Sequence, residues 1–283
     1  MDEQNLNILE RIHAFYYQLT ASERKVADFV LANHDRIQFM SITQLAEECG
    51  TADATISRFC RNLDLKGFNA FKIELARYSA PSTQKRRNVP TKDTIMGRCL
   101  EVGRMANDAV YQTMELLEPD QVTRAVSLIE QADRVICIGS GGSMLLAKEF
   151  AHLFNTVAPK FMAISDAHMQ MSAVATGREK DLLVLFSYSG ATTSGVEIMN
   201  LAKSRSLSTM LVTRYPKSPA AESADVVLRC GSNEGPFQFG SVPAKIAQLI
   251  VMDVLFQEYC YRNPESSEES IQNIGAALAH MHI

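Results

Sequence analysis

Nowhere in the 283 residues does an apolar run approach the roughly 20 residues that a bilayer-spanning helix needs. That absence argues against a helical membrane protein. The first residues include Asp2 and Glu3 and lack the apolar stretch of a secretory signal. The six cysteines (49, 60, 99, 137, 230 and 260) form no Cys-x-x-Cys pair. No metal site or cofactor is expected from them, and a reducing cytoplasm fits. Cys137 lies inside an apolar run and reads as a small core residue.

What is present is ordinary in amount and uneven in distribution. A composition of 46% hydrophobic and 21% charged residues predicts a soluble globular chain, long enough for a large core and a second, smaller domain. The net charge of −4 excludes a wholly basic nucleic-acid binder. Positive charge nevertheless concentrates between positions 58 and 92. Arg58, Arg61, Lys66 and Lys72 face only Asp64, and Lys85, Arg86, Arg87 and Lys92 follow in a stretch free of acids. A duplex contact belongs there.

Two further absences concern phosphate chemistry. The segment from Val135 to Thr193 contains the same device twice: an apolar strand, a small hydroxyl-rich loop and a helix. The first loop is Gly139-Ser140-Gly141-Gly142-Ser143, and the second is Ser187-Tyr188-Ser189-Gly190-Ala191-Thr192-Thr193. Neither has the lysine of a triphosphate-binding loop. Leu146 stands where a dinucleotide fingerprint carries its third small residue. Hydroxyls and backbone amides at a helix N-terminus, without a fixed cation, suit a small phosphorylated metabolite.

Taken in order, residues 6–19 repeat Leu6, Leu9, Ile12, Phe15 and Leu19 at helical spacing. Thr20-Ala21-Ser22-Glu23 and Ser41-Ile42-Thr43-Gln44 are capping-box patterns that open helices. The first of these helices is expected to end at Asn33-His34. Gly50 breaks the second before a further helix over 53–62. Helix, glycine turn, helix is the helix-turn-helix unit, with Ile42, Leu45, Ala46, Ile56, Phe59 and Leu63 as core. Thr55, Ser57, Arg58 and Arg61 are expected to face outward as DNA contacts, with Ser41 and Lys66 beside them. An ordinary helical hairpin with a solvated basic face fits the same pattern.

The stretch from Leu19 to Leu75 also resembles the N-terminal domain of RpiR-type bacterial transcriptional regulators. The resemblance rests on Leu19-Thr20-x-Ser22-Glu23, Ser41-Ile42-x-x-Leu45-Ala46, Thr55-Ile56-Ser57-Arg58-Phe59-Cys60 and Lys66-Gly67-Phe68. Two departures stand out. Ala52 replaces the usual capping serine, so Asp53 is expected to take over the cap with its side chain turned inward. Asp64 replaces a usual glycine.

Tyr78 to Pro90 reads as a tether whose basic cluster adds nonspecific phosphate attraction. Residues 93–117 form a long amphipathic helix, expected to pack on the next domain and on a second subunit. Beyond Asp120, strands at 134–138, 160–164, 182–187, 208–213 and 226–229 alternate with helices. That pattern predicts a doubly wound, five-stranded parallel sheet of flavodoxin-like order. The tail reads as a polar break at Pro264–Glu269 and a last helix. The expected domains are a head at 1–78, a linker at 79–92, a connecting helix at 93–119, the sheet domain at 120–262 and a tail at 263–283.

The two hydroxyl loops make the sheet domain similar to the sugar isomerase (SIS) domain over residues 120–262. The resemblance assigns an effector phosphate to Ser143, Ser187, Ser189 and Thr192, with Gly142 and the Tyr188 backbone beside them. Ala191 departs from the glutamate common in that motif. Weaker candidates are Ser140, Thr193, Asp166, His168, Ser241 and Lys245, although Asp166 reads more naturally as a helix cap. Met169-Gln170-Met171 reads as core. A phosphosugar isomerase is the rival reading, with Glu149, His152, His168 and Glu234 as possible acid–base groups. An isomerase has no use for a DNA-reading head. The expectation is therefore a cytoplasmic regulator that binds double-stranded DNA as a homodimer or homotetramer and releases it when a phosphosugar binds.

Overall fold

The computed structural model describes residues 7–79, 94–232 and 241–279. The basic linker cluster from Lys85 to Lys92, Glu234 and Met281 lie outside the described residues. The described residues divide into two units, one of 7–79, 94–105 and Ser241, the other of 106–232 and 242–279.

The first unit is helical: α1 (Ile8–Phe15), α2 (Ala21–Ile37), α3 (Ile42–Glu48), α4 (Asp53–Asn62) and α5 (Phe68–Ser79). Both expected capping boxes form. Thr20 Oγ1 accepts from the Glu23 amide, and Ser41 Oγ accepts from the Gln44 amide at 3.0 Å. Glu23 then does more than cap. It is 3% exposed, and its carboxylate accepts from the Thr20 amide (2.9 Å), the Thr20 hydroxyl (2.7 Å) and Asn62 Nδ2 (3.0 Å). One buried carboxylate thus pins the start of α2 to the end of α4, with donors enough to offset its desolvation.

The expected stop at Asn33-His34 is a kink instead. Asn33 leaves helical geometry (φ −135°) while its side-chain amide donates to the Phe29 carbonyl, and the helix resumes as far as Ile37. Ile37 is fully buried, so the last turn is held by packing rather than by local preference. The C-terminal ends of α3 and α4 are each closed by a left-handed residue. After α3, Gly50 has φ +61°, with its own amide bonded to the Glu47 carbonyl and the Thr51 amide to the Ala46 carbonyl. After α4, Asp64 takes the same role at φ +57°, and the Leu65 amide bonds to the Cys60 carbonyl. These are Schellman closures. An aspartate tolerates the left-handed region better than most residues, so the usual glycine is dispensable there.

The head's core gathers Ile12, Val26, Val30, Leu45, Ile56, Phe59, Leu63, Phe71 and Leu75, all fully buried. The Phe59 and Phe71 rings meet edge to face, 5.6 Å apart. Burial pushes the Cys60 thiol up to about 12, so it is a core residue and not a nucleophile.

The second unit holds α7 (Pro119–Gln131), β1 (Arg134–Gly139), α8 (Gly142–Asn155), β2 (Phe161–Ala163), α9 (Ala167–Ala175), β3 (Asp181–Phe186), α10 (Thr193–Ser204), β4 (Ser208–Thr213), β5 (Val226–Arg229), α11 (Val242–Arg262) and α12 (Pro264–Leu278). The strands pair in parallel in the order β2-β1-β3-β4-β5, the expected flavodoxin-like order. Alternate residues of each strand feed opposite faces. Val135, Cys137, Val184, Phe186 and Val212 join α7, α8 and α11, whereas Ile136, Ile138, Leu183, Leu185 and Leu211 join α9 and α10. Burial on both sides explains why the strands read as unbroken apolar runs.

The connecting helix is α6 (Ile95–Leu116), and the division between the two units falls within it. Ala109 and Thr113 are buried, while Ile95, Met96, Leu100, Tyr111 and Met114 are exposed. The tail corrects the expected polar break. Pro264 is the first residue of α12, where a missing amide hydrogen costs nothing, so Pro264–Glu269 form its first turns.

Replacing Glu23 with alanine should destabilise the head by about 1–3 kcal/mol, because Asn62 and the Thr20 amide lose a buried acceptor. A denaturant midpoint left unchanged in the full-length protein would contradict this account of the α2–α4 junction.

Candidate functional site

Parallel pairing of β1 with β3 brings Gly139 opposite Phe186, so the loops leaving both strands emerge side by side at one sheet edge. This is the point where the strand order reverses, and helices depart to opposite faces. α8 packs with the Phe150 face and α10 with the Ile198 face. The first loop meets the first turn of α10 through hydroxyls, with Ser140 Oγ 3.5 Å from Ser194 Oγ.

Helix capping distinguishes these two helices from several others. α1, α2, α3 and α9 are capped by side chains of Asn7, Thr20, Ser41 and Asp166. The N-caps of α8 and α10, Gly141 and Thr192, make no side-chain cap bond. In α8 the Ser143 and Met144 amides donate to the Ser140 and Gly141 carbonyls, both at 3.1 Å. Among the described residues the Gly142 amide and the amides of Thr193 and Ser194 on α10 meet no such partner, nor do the Ser143 and Thr193 hydroxyls. Ser187 is buried, and its amide extends the sheet by donating to the Val212 carbonyl at 3.1 Å. Ser189 Oγ accepts from the Ala191 amide at 3.3 Å, which folds the loop back on itself. Thr192 and Thr193 are exposed, and Gly142 and Ser143 are half-buried.

The second loop is held rigidly from below. The Tyr188 carbonyl accepts from the Thr213 hydroxyl and the Arg214 amide, both at 3.0 Å. Gly190 has φ +59°, and a Cβ there would lie 1.9 Å from Ser218 Oγ. Among the described residues Ser218 Oγ has no hydrogen-bond partner, so glycine is required by backbone and space alike. Tyr188 turns its side chain away from the loop edge and donates its hydroxyl to the Ser232 carbonyl. Burial raises the tyrosine's pKa above its ordinary value, so it stays neutral.

The weaker candidates separate. Asp166 is occupied as the cap of α9, accepting from the Met169 amide at 2.9 Å. His168 is exposed on the first turn of α9, and Lys245 is half-buried on the first turn of α11, just beyond Ser241. Glu149 and His152 are both exposed on α8. Sequence reasoning missed three supports. Ser194 joins the first loop to the first turn of α10, and Thr213 holds the Tyr188 carbonyl. Gln170 is 5% exposed and donates to the carbonyls of Ile164 (2.7 Å) and Gly139 (3.3 Å), tying the ends of β2 and β1 together. A lone glutamine between two methionines carries no local signal of that role. Of those methionines, Met169 is exposed and only Met171 packs on the core.

In the head, α4 presents Arg58 and Arg61 to solvent, with Ser57 half-buried and Lys66 exposed just after the turn. Thr55 corrects the expectation that it faces outward. It is 6% exposed, because α4 packs against α2, α3 and α5, and its inward stripe is two residues wide: Thr55 and Ile56, then Phe59 and Cys60. Ser41 is likewise buried, with its hydroxyl committed to capping α3. Asp53 does not replace the missing serine as cap. Ala52 is the N-cap, and the Asp53 carboxylate accepts from Thr43 Oγ1 at 2.9 Å, which joins α3 to α4.

A helical head whose α3-turn-α4 places arginines outward, joined to a five-stranded parallel sheet with two uncapped helices at its switch point, defines a class: helix-turn-helix regulators with a SIS domain. Comparison with known proteins agrees. The helix-turn-helix domain profile of the rpiR family matches residues 6–82, and the SIS domain profile matches residues 128–257. An HTH-type transcriptional regulator of Caldanaerobacter subterraneus is 31% identical over 251 residues, covering 88% of this chain and 89% of the relative. HexR of Escherichia coli, also an HTH-type transcriptional regulator, is 28% identical over 274 residues, covering 96% and 94%. The structure of Vibrio vulnificus NanR in complex with ManNAc-6P superposes with a TM-score of 0.88 at 25% identity, covering 98% of this chain and all of that one. The chain belongs to the RpiR family of transcriptional regulators.

Gly190→Ala should cost at least about 1–2 kcal/mol from the left-handed backbone alone. The melting temperature of the second unit should fall by about 2–8 °C. Adding Ser218→Gly, which removes the clashing atoms, should recover part of the loss. A single substitution that leaves the melting temperature unchanged would refute the tight seat assigned to this loop.

Proposed function

We propose that this regulator binds a sugar phosphate at the β1/β3 edge and that binding releases it from DNA, making it an inducible repressor of sugar or amino-sugar genes. The observation that carries the reading is the pair of uncapped helices. α8 and α10 start beside each other, joined through Ser140 and Ser194, with their N-terminal amides left without cap side chains. Two helix N-termini aimed at one region favour a dianion, and hydroxyls from Ser143, Ser187, Ser189 and Thr192 complete a cradle without a fixed cation. Gly142 and the Tyr188 amide contribute backbone donors. His168, Ser241 and Lys245 are proposed to face the sugar, and Asp166 serves α9 as its cap. Vibrio vulnificus NanR was solved with ManNAc-6P, which places amino-sugar phosphates first among the ligands to test.

On the DNA side, Arg58 and Arg61 are the proposed principal contacts, with Ser57 and Lys66 adding phosphate bonds. Two such heads on a homodimer would read two half-sites one helical turn apart, or a multiple of it.

Thermal stabilisation by N-acetylmannosamine 6-phosphate, N-acetylglucosamine 6-phosphate and glucose 6-phosphate, each paired with its unphosphorylated sugar, tests the cradle. Only the phosphorylated member of a pair should stabilise the protein, without turnover, and Thr192→Ala should weaken its binding about 10–100-fold, the cost of one charge-assisted hydrogen bond. Equal stabilisation by the free sugars would overturn the phosphate assignment, and steady product formation would favour an isomerase. For DNA, Arg58→Ala and Arg61→Ala should each lower the slope of log affinity against log salt by about 1 if they contact phosphates. Unchanged affinity for the upstream region of its own gene would remove α4 as the reading helix.

A further inference from the structure

A polar chain, buried at its inner end, runs from the second loop to α6, and holding a phosphate does not require it. Tyr188 turns its ring into the core, edge-on to Tyr215 at 6.2 Å, and donates its hydroxyl to the Ser232 carbonyl. Ser232 is 5% exposed. The preceding Gly231 lies flat against α6, where a Cβ would meet the Gln112 carbonyl carbon at 2.4 Å. Its amide donates to Thr113 Oγ1 at 2.9 Å, and the Thr113 hydroxyl donates onward to the Ala109 carbonyl at 2.6 Å. Thr113 is fully buried.

We propose that Thr113 is a positioning residue that converts movement of the Tyr188 loop on sugar-phosphate binding into movement of α6. The inference rests on reading Ser187–Thr192 as part of the phosphate cradle. Three physical features support it. Thr113 and Ser232 are buried and Tyr188 is half-buried, so the inner bonds of the chain cannot be exchanged for water without loss. The contact at Gly231 leaves no room for slack, so displacement of Ser232 is passed on rather than absorbed. A valine would fill the space of Thr113 equally well, so packing alone does not call for a hydroxyl. α6 is also the element that follows the DNA-binding head in the chain, which makes it the natural receiver of the movement.

Hydrogen exchange on the full-length protein, with and without N-acetylmannosamine 6-phosphate or glucose 6-phosphate, tests the link, with affinity measured separately by calorimetry. In the wild type, a bound probe should change amide exchange at residues 106–116. Thr113→Val should bind the probe within about fivefold of the wild type, the low end of allosteric coupling factors, and lose that response. Thr113→Ser, which keeps the hydroxyl, should retain the response. Tyr188→Phe, which keeps the ring, should lose it even if the valine variant folds poorly. A wild type that binds the probe without any change in α6 would overturn the link and leave the phosphate site standing. A Thr113→Val protein that responds as the wild type does would do the same. If no sugar phosphate binds at all, the cradle and the link fall together.

Discussion

Parallel pairing of β1 with β3 is the constraint on which the second unit depends. Parallel neighbours must send their chains out at the same edge, and each chain must return through a helix. Because β2 lies on one side of β1 and β3 on the other, α8 and α10 leave toward opposite faces. Their first turns then flank one crevice, and neither has a side-chain cap. The hydroxyl-rich loops are the sequence's response to that geometry. Small residues let the backbone turn sharply, and serines and threonines supply hydroxyls where the helices begin without side-chain caps. The crevice follows from topology, whereas its proposed chemistry follows from the residues placed there.

The head obeys a different economy. Its helices are short, and each is held by its neighbours. α4 contacts three helices at once, so its buried stripe is two residues wide and takes Thr55, Ile56, Phe59 and Cys60 out of solvent. That leaves Arg58 and Arg61 as the outward cations on this helix, and it explains how a chain with a net charge of −4 can still present a local positive surface.

Elements whose cause is local were legible in the sequence. The five strands, their helices, both capping boxes and the Gly50 turn follow from periodicity, hydroxyl placement or a backbone preference. What was not legible depends on partners distant in the chain. Thr55 looks outward by its polarity and is buried because α2 and α3 both press on α4. Asp53 looks like a cap, but Thr43 from the preceding helix binds it first. Asn33-His34 looks like a stop until Ile37 is seen to be buried. Pro264 reads as a break and serves as a helix start. In the candidate site, the hydroxyl loops announced themselves. Gln170, Thr213 and Ser194 did not, because their roles exist only once the strand ends are side by side.

The last step concerns what a phosphate cradle can and cannot control. A ligand that binds two states equally shifts neither, however tightly it is held. Hydroxyls and amides that grip the phosphate alone would supply affinity without direction, since a dianion meets the same donors in either state. Regulation therefore needs a group near the cradle whose own contacts differ between the states. Among the loop residues described, Tyr188 has the required form: its backbone belongs to the proposed cradle, while its side chain is committed to the segment that packs on α6. A residue shared between grip and frame makes the effector's affinity depend on the position of the frame. By linkage, the frame's position then depends on the effector to the same degree.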